Sequence, residues 1–268
     1  MKLQEYIDEL QKKGRLSFTL EEASKTLRKS KRYLSTKIYE TSPKGRVISP
    51  LKGFYVIIPF EHRALGSLPA RDLVLLSMEY LGVPYYVGLL TAAFYYGATH
   101  QRLRVFQVVT NKRMPKEWIF GDVWIKFIYK KDIHSTMIKN KTIDTGYLPV
   151  STPEETAKDV MIYYRQCGGL NHQATVLAEL AGAINTQKLI SLAKKSGKLF
   201  WIQRMGYILD NIDTFYKKER DKVVHALEKF LVTQKLRYIS LAPEMPTKNK
   251  PRNKKWKIIE NTTVESDI

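Results

Sequence analysis

The chain has 268 residues, and its 45 basic and 26 acidic side chains give a formal net charge of +19. Hydrophobic residues make up 44% of the sequence, which excludes wholesale disorder, and the single cysteine, Cys167, excludes an internal disulfide. The N-terminus carries acidic residues and no apolar core, and no apolar stretch is long enough to span a bilayer. We therefore expect a cytoplasmic protein with no membrane contact and a polyanionic partner.

The apolar periodicity of the first 60 residues predicts three helices and then a two-stranded hairpin. The helices begin near Leu3, Thr19 and Ser30, and the third ends at Pro43 and Gly45. The hairpin strands read VIS and FYVII, and the turn between them reads PLKG. Helix, helix, short turn, helix and hairpin is the order of a winged helix-turn-helix, a DNA-binding structure.

We predict this winged helix-turn-helix for residues 1–66, with the third helix as the part that reads DNA. Arginine can bind guanine through two hydrogen bonds, serine and threonine can contact bases or phosphates, and lysine neutralises phosphate. The chosen residues lie on the outward face of the third helix, in the turn before it and beside the hairpin. The predicted DNA-binding residues are Arg28, Lys29, Lys31, Arg32, Ser35, Thr36, Tyr39, Arg46 and Lys52.

Residues 59–68 contain a proline and a glycine among polar residues, Pro69 follows directly, and the segment predicts a linker. Beyond it, residues 67–150 predict an α/β region. Helices are expected over 69–81 and over 85–97, the second being apolar on nearly every side. The runs RVFQVVT, EWIFG, DVWIKFIYK and YLPV predict strands, with the middle two paired as a hairpin.

Residues 151–242 predict a helical bundle. Its first helix has the clearest start in the chain, with Thr152 as the N-cap, Pro153 at the first helical position and Glu155 completing a capping box. Further helices are expected near 171–184, 186–195, 199–211 and 216–235. A basic tail, 243–268, follows, with WKII as a last strand. The predicted fold class is α+β: a winged helix-turn-helix, then a larger α/β domain with a small sheet and a C-terminal helical bundle.

No set of residues predicts catalysis, a metal site or a cofactor. The five histidines lie apart from one another and from the cysteine, and the sequence contains no phosphate-binding loop, nucleophile motif or nuclease-like acidic set. We therefore expect a protein that is not an enzyme. His100, in GATHQR, is the polar residue of most interest. It either forms a recognition or regulatory site at a helix end or is satisfied by backbone at a packed corner.

Six sequence blocks, in this order, carry a family resemblance along nearly the whole chain. They read GFYVIIP, YYVGLLTAAFYYGATHQ, FQVVT, GYLPVSTPEETAKDVMIYYRQCGGLNHQATVLAEL, WIQRMGYILD and RNKKWKIIENTTVESD. With them the chain resembles the AbiEi antitoxins of type IV toxin–antitoxin systems, which accompany phage abortive-infection loci. One departure is the run Phe94–Tyr95–Tyr96 before Gly97, where a histidine next to the glycine is expected.

The resemblance implies two activities. The N-terminal domain would repress the chain's own operon by binding operator repeats in double-stranded DNA. The domain spanning 67–268 would neutralise a nucleotidyltransferase-like toxin, with or without a stable complex. Two alternatives remain: a ligand-responsive transcription regulator without a toxin partner, and a nucleic-acid enzyme such as a nuclease. The absence of clustered acids in the sequence argues against the second.

Overall fold

The computed structural model of the chain describes residues 1–41, 45–99 and 103–265, and it confirms a mixed α+β fold. The helices are α1 (Leu3–Lys12), α2 (Leu20–Leu27), α3 (Lys31–Thr41), α4 (Ala70–Leu81), α5 (Leu89–Tyr95), α6 (Pro153–Ile162), α7 (Leu170–Leu180), α8 (Thr186–Ser196), α9 (Phe200–Asn211) and α10 (Lys217–Val232). The strands are β1 (Ser17–Thr19), β2 (Val47–Leu51), β3 (Phe54–Ile57), β4 (Tyr85–Val87), β5 (Phe106–Thr110), β6 (Glu117–Phe120), β7 (Val123–Tyr129), β8 (Ile138–Ile143), β9 (Gly146–Ser151), β10 (Ile239–Ser240), β11 (Arg252–Asn253) and β12 (Ile258–Ile259). Pro43, the predicted end of the third helix, lies outside the described residues.

The chain forms two compact units, and neither is continuous in sequence. The first unit comprises Met1–Tyr86, Arg104–His134 and Asn140–Pro149, and the second comprises Val87–Leu103, Ser135–Lys139 and Val150–Ile268. The strand orders are β1-β3-β2, β6-β7-β5-β4-β9-β8 and β10-β12-β11. The unit boundary passes through β4, β8 and β9. The predicted division of the chain at residue 66 stays a prediction.

In the first unit, α1 to α3 pack on the antiparallel sheet of β1, β2 and β3. The hydroxyl of Thr19 caps α2 by accepting the N–H of Glu22 at 3.1 Å, as the sequence predicts. Helix α2 ends at Arg28, which has a left-handed backbone with φ of 53°. Leu34 and Ile38 of α3 are buried against this core.

Strand β3 buries both of its faces. Because side chains alternate along a strand, Tyr55 and Ile57 enter the core of α1 to α3. Phe54 and Val56 enter a second core, which contains residues of α4, β5, β6 and β7. The Phe54 ring stacks on Tyr80 of α4, with centroids 4.5 Å apart. One strand therefore supplies side chains to two cores of the first unit.

The segment predicted as a linker is packed inside the first unit. The carbonyl of Leu65 accepts the N–H of Asp122 at 3.0 Å. A Cβ on Gly121 would lie 2.2 Å from that carbonyl oxygen, so the close approach requires glycine. Leu68 is fully buried. Leu65 and Leu68 therefore pack on the core of the first unit, and a division of the chain in this segment stays a prediction.

The single helix predicted over 85–97 is wrong. The run begins with strand β4, in which Val87 pairs in parallel with Val150, and only then forms the short helix α5. Leu89 turns the chain with a φ of 52°. The run is apolar on every side, so its periodicity does not separate a buried strand from a buried helix. Tyr85 and Tyr86 are aromatic residues, which favour strands.

The strands predicted in the middle of the chain are present. Strands β6 and β7 form the predicted antiparallel hairpin at Gly121, and β5 pairs with β7 in parallel. Strands β1 and β8 were not predicted. Strand β8 has the sequence IKNKTI, in which polar residues and lysines interrupt the alternation that indicates a strand.

The second unit contains the predicted helical bundle. The Thr152 hydroxyl accepts the N–H of Glu155 at 3.4 Å and Pro153 occupies the first turn of α6. Helices α7 to α10 match the predicted helices, with ends shifted by a few residues. The predicted C-terminal strand is β12, which pairs with β10 and β11.

The segment around β11 and β12 is held tightly on α9. Trp256 is fully buried, and a Cβ on Gly206 would lie 2.1 Å from its ring. The Trp256 indole N–H donates to Asp210 at 2.9 Å. The side-chain amide of Gln203 donates to the carbonyls of Arg237 and Lys257, at 3.0 and 3.3 Å. The residues predicted as a basic tail therefore include part of the core of the second unit.

We predict that Phe54→Ala lowers the free energy of unfolding by about 3–5 kcal/mol, since it removes a buried ring and leaves a cavity. The measurement is the urea midpoint of the full chain by circular dichroism. Phe60→Ala is the matched control, because the Phe60 side chain is 79% exposed and its loss should change stability by about 0.5 kcal/mol or less. Equal midpoints for the two variants would show that β3 does not join the two cores.

Candidate nucleic-acid interface

One face of α3 is free of the core. Leu34 and Ile38 point inward, and the residues on the opposite side of the helix are Arg32, Thr36 and Tyr39. All three are exposed, and the Tyr39 side chain has 79% of its surface in solvent. We call Arg32, Thr36 and Tyr39 the reading face. Ser35 is also exposed beside it.

The turn before α3 carries two exposed cations, Arg28 and Lys29. The carbonyl of Lys29 accepts the Ser24 hydroxyl at 2.7 Å, which fixes the backbone of the turn. The hydroxyl of Ser30 then caps α3 by accepting the N–H of Tyr33 at 3.2 Å. The turn is therefore ordered by local hydrogen bonds, and its cationic side chains extend into solvent.

Lys31 is exposed and forms an ion pair with Glu21 of α2. Glu21 also pairs with Lys25 at 3.4 Å. The hydrogen bond from Lys31, and then its charge, lower the pKa of the Glu21 carboxyl. A phosphate that binds Lys31 therefore has to compete with Glu21.

The two predicted residues beside the hairpin differ in their surroundings. Lys52 is exposed at the turn between β2 and β3. Arg46 is largely covered, and its guanidinium bonds to Asp8 and Gln4 of α1. Arg46 thus joins α1 to the start of the hairpin. DNA binding by any of the nine predicted residues stays a prediction.

In the second unit, α5 packs against α6, so two of the sequence blocks quoted for the family resemblance meet. The Tyr96 hydroxyl donates to the carbonyl of Ser151 at 2.8 Å. The Ser151 and Thr156 hydroxyls share a hydrogen bond of 2.7 Å. Burial, and then the charge of Glu154, raise the pKa of Tyr96 to about 12. Tyr96 lies in the run where the resemblance expects a histidine, and it contributes a neutral hydrogen-bond donor there.

The first turns of α6 are charged and buried, which the sequence reading missed. Glu154, Glu155 and Asp159 are each at most 2% exposed. Glu155 forms an ion pair with Lys158, and Glu154 accepts the N–H of Asn185 at 2.9 Å. In the sequence these acids look like the ordinary acidic residues at the start of a capped helix. The only signal for a buried network is that several charged residues lie close together in PEETAKD.

Within residues 1–41, 45–99 and 103–265, no group of three or more histidine, cysteine, aspartate or glutamate side chains could hold a metal ion. No helix in those ranges is both long and apolar enough to cross a membrane. Cys167 is buried. His100 lies outside the described residues, so its two interpretations remain as the sequence left them.

Residues 86–211 match the family model described as the AbiEi antitoxin C-terminal domain. This region of the chain therefore matches an AbiEi antitoxin domain, and the resemblance seen in the sequence is confirmed. The matched range includes both the α5–α6 contact and the charged start of α6. This match supports a role as the antitoxin of a toxin–antitoxin system. No curated protein matches the chain.

Among solved structures, the chain is similar to the RV2827C protein from Mycobacterium tuberculosis, with a TM-score of 0.67 and 14% identity. The alignment covers 98% of this chain and 90% of that one, and at this identity it indicates a shared fold alone. Two other structures have TM-scores of 0.33 and 0.37, too low to support an argument. The first is the antibiotic-resistance factor ANT(2'')-Ia, which is 10% identical over 46% of this chain and 88% of its own chain. The second is a nucleotidyltransferase-like protein from Paracoccidioides brasiliensis, which is 12% identical over 59% of this chain and 90% of its own chain.

We predict that Tyr96→Phe makes stability less sensitive to alkali. The folded-state pKa of Tyr96 is above the ordinary value of 10.0. The neutral form of Tyr96 therefore contributes fully to the free energy of unfolding below pH 10, and this contribution is lost as the pH rises through about 12. The measurement is the urea midpoint of the full chain between pH 9 and pH 12. Tyr147→Phe is the control, because the Tyr147 ring is exposed. Parallel pH profiles for the two variants would contradict the prediction.

Proposed function

We propose that this chain is an AbiEi family antitoxin that binds DNA and represses its own toxin–antitoxin operon through residues 1–66, folded as a winged helix-turn-helix. The observation that carries the proposal is the reading face of α3, which is exposed and polar while the other side of the helix is buried. An α-helix with this division can enter the major groove and contact base edges. Arg32 would bind guanine, and Ser35, Thr36 and Tyr39 would contact bases or the adjacent backbone.

The cations around α3 would bind the phosphate backbone. Arg28, Lys29 and Lys31 come from the turn and first residue of α3, and Lys52 comes from the hairpin. Four phosphate contacts give a slope of log affinity against log salt of about −3.6. Arg46 would act indirectly, because its guanidinium joins α1 to the hairpin that carries Lys52. The partner would be the operator repeats of the chain's own operon.

The second activity would be neutralisation of a nucleotidyltransferase-like toxin through residues 67–268, with or without a stable complex. The antitoxin-domain match over residues 86–211 supports an antitoxin role for this part of the chain. We propose that the chain acts by binding and not as an enzyme, which the same match supports. Such a protein would work in the cytoplasm, where its operon and its toxin are.

We predict that Arg32→Ala in the full chain weakens binding to the promoter region of its operon by about 1–3 kcal/mol, because a base contact is lost. Binding to scrambled DNA of the same composition should change much less. Lys52→Ala should weaken binding to both DNAs equally, since phosphate contacts carry no sequence information. The measurement is fluorescence anisotropy at several salt concentrations.

Two further variants test how charge near α3 affects DNA binding in the same measurement. Glu21→Gln should strengthen binding to both DNAs, because it releases Lys31 and removes a negative charge beside the phosphates. Lys12→Ala/Lys13→Ala is the control for loss of charge, because both side chains are exposed at the end of α1, outside the predicted set. An unchanged ratio of specific to nonspecific affinity in Arg32→Ala would show that α3 does not read the operator.

We predict that Lys31→Ala/Arg32→Ala abolishes repression and still rescues cells from the toxin encoded beside it. The reason is that both residues lie on the surface of α3, outside the range that matches the antitoxin domain. The full chain is used because β3 shares its core with α4 and the sheet. The measurements are a promoter reporter and colony survival in the same strains.

Loss of rescue by a folded double variant would contradict the separation of the two activities. A chain that represses its promoter and never rescues cells would support the alternative function, a ligand-responsive regulator without a toxin partner.

A further inference from the structure

A groove in the first unit runs along the side of α3 next to the reading face. Its volume is about 520 Å³, which lies within the range of small-molecule sites, about 300–1,000 Å³. Three stretches of chain form it: the N-terminal residues, the end of α2 and one side of α3. We call it the lysine groove, and its lining residues are Met1, Lys2, Leu3, Gln4, Leu27, Lys29, Tyr33, Leu34 and Lys37.

The floor of the lysine groove is apolar. Leu27 and Leu34 belong to the core of the N-terminal helices, and Leu3 packs against that core at the edge of the groove. Tyr33 is 49% exposed and forms part of the lining on the α3 side. The floor therefore favours an aliphatic or aromatic body over water.

The charge of the lining has one sign. Among the residues that the structure describes, the lining includes Lys2, Lys29 and Lys37 and no carboxylate. Lys37 has a partner outside the lining, Glu40, at 2.7 Å. An ion that enters the groove therefore meets the side chains of Lys2 and Lys29 beside leucine side chains, with the paired Lys37 on the α3 side. The ligand chemistry that fits is an anionic head on an apolar body.

The size of the groove separates a small molecule from a protein partner. A stable protein interface takes about 20–30 residues from each side, whereas nine of the described residues line this groove. We propose that the lysine groove binds small amphipathic anions, such as medium-chain or aromatic carboxylates, and that the bound anion weakens operator binding. The second clause rests on the proposed DNA-binding function.

The coupling follows from shared residues. Lys29 lines the groove and also belongs to the predicted phosphate contacts before α3. A carboxylate held beside Lys29 neutralises the charge that would attract phosphate, and its own charge repels the backbone. The ligand would thus link a metabolite concentration to repression.

The first experiment measures binding without DNA. Isothermal titration calorimetry of the full chain with sodium decanoate should give one site per chain. Decyltrimethylammonium, which has the same body and the opposite charge, should bind at least about tenfold more weakly. Equal binding of the two ions, or no decanoate binding, would overturn the proposal.

Variants localise the site. Lys2→Gln/Tyr33→Ala should weaken decanoate binding by about tenfold, since it removes one cation and one wall of the groove. Lys12→Gln/Tyr147→Ala removes the same kinds of group from exposed positions outside the groove, and it should bind decanoate like the unchanged chain. Equal losses in both variants would place the ligand elsewhere. A second result would also overturn the proposal: a synthetic acidic amphipathic helix binds to the chain and decanoate does not. That result would favour a protein partner.

The second experiment repeats the operator anisotropy with saturating decanoate. Operator affinity should fall at least about fivefold in the unchanged chain and in the control variant, and stay constant in Lys2→Gln/Tyr33→Ala. Decanoate binding with unchanged operator affinity would overturn the coupling. If no variant binds the operator at all, the proposed DNA-binding function fails, and the calorimetry alone still decides whether the groove binds anions.

Discussion

The first unit depends on a strand that has no solvent face. Most strands of a small antiparallel sheet bury one face and expose the other, but β3 directs Tyr55 and Ile57 into one core and Phe54 and Val56 into another. The helices before it and the sheet after it therefore pack on opposite sides of the same four residues. The close contact of Leu65 with Gly121 adds a second connection between these parts of the unit. Any motion of α3 relative to β5, β6 and β7 has to be accommodated by these contacts.

Local rules predicted the elements whose sequence signals are strong and self-contained. Thr19 and Thr152 cap their helices as the spacing of their acidic partners indicates, and Leu34 and Ile38 lie on the buried side of α3. The features that could not be predicted depend on distant residues. Val87 forms a strand because Val150 lies beside it, and the short strand β1 exists because β3 offers it a partner. Neither the apolar run that contains Val87 nor the three residues of β1 contain a local sequence signal that predicts these distant partners.

The reading face is the part of the candidate site that sequence periodicity can predict, because exposure on a helix follows from its buried residues. The pairing of exposed charges is not predictable in the same way. Arg46 and Lys31 both look like free cations in the sequence, yet one is bound to α1 and the other to Glu21. The buried charges of α6 show the opposite case. Glu155 looks like a solvent-exposed capping residue and is fully buried beside Lys158.

The contact between Gly206 and Trp256 makes the C-terminal segment part of the core of the second unit. The range that matches the antitoxin family ends at residue 211, but the Trp256 ring lies on α9 inside that range. A protease that cleaved the exposed stretch 243–250 could release the segment after it and so remove a core tryptophan. Clipping at this exposed stretch would then have the effect of a large core deletion.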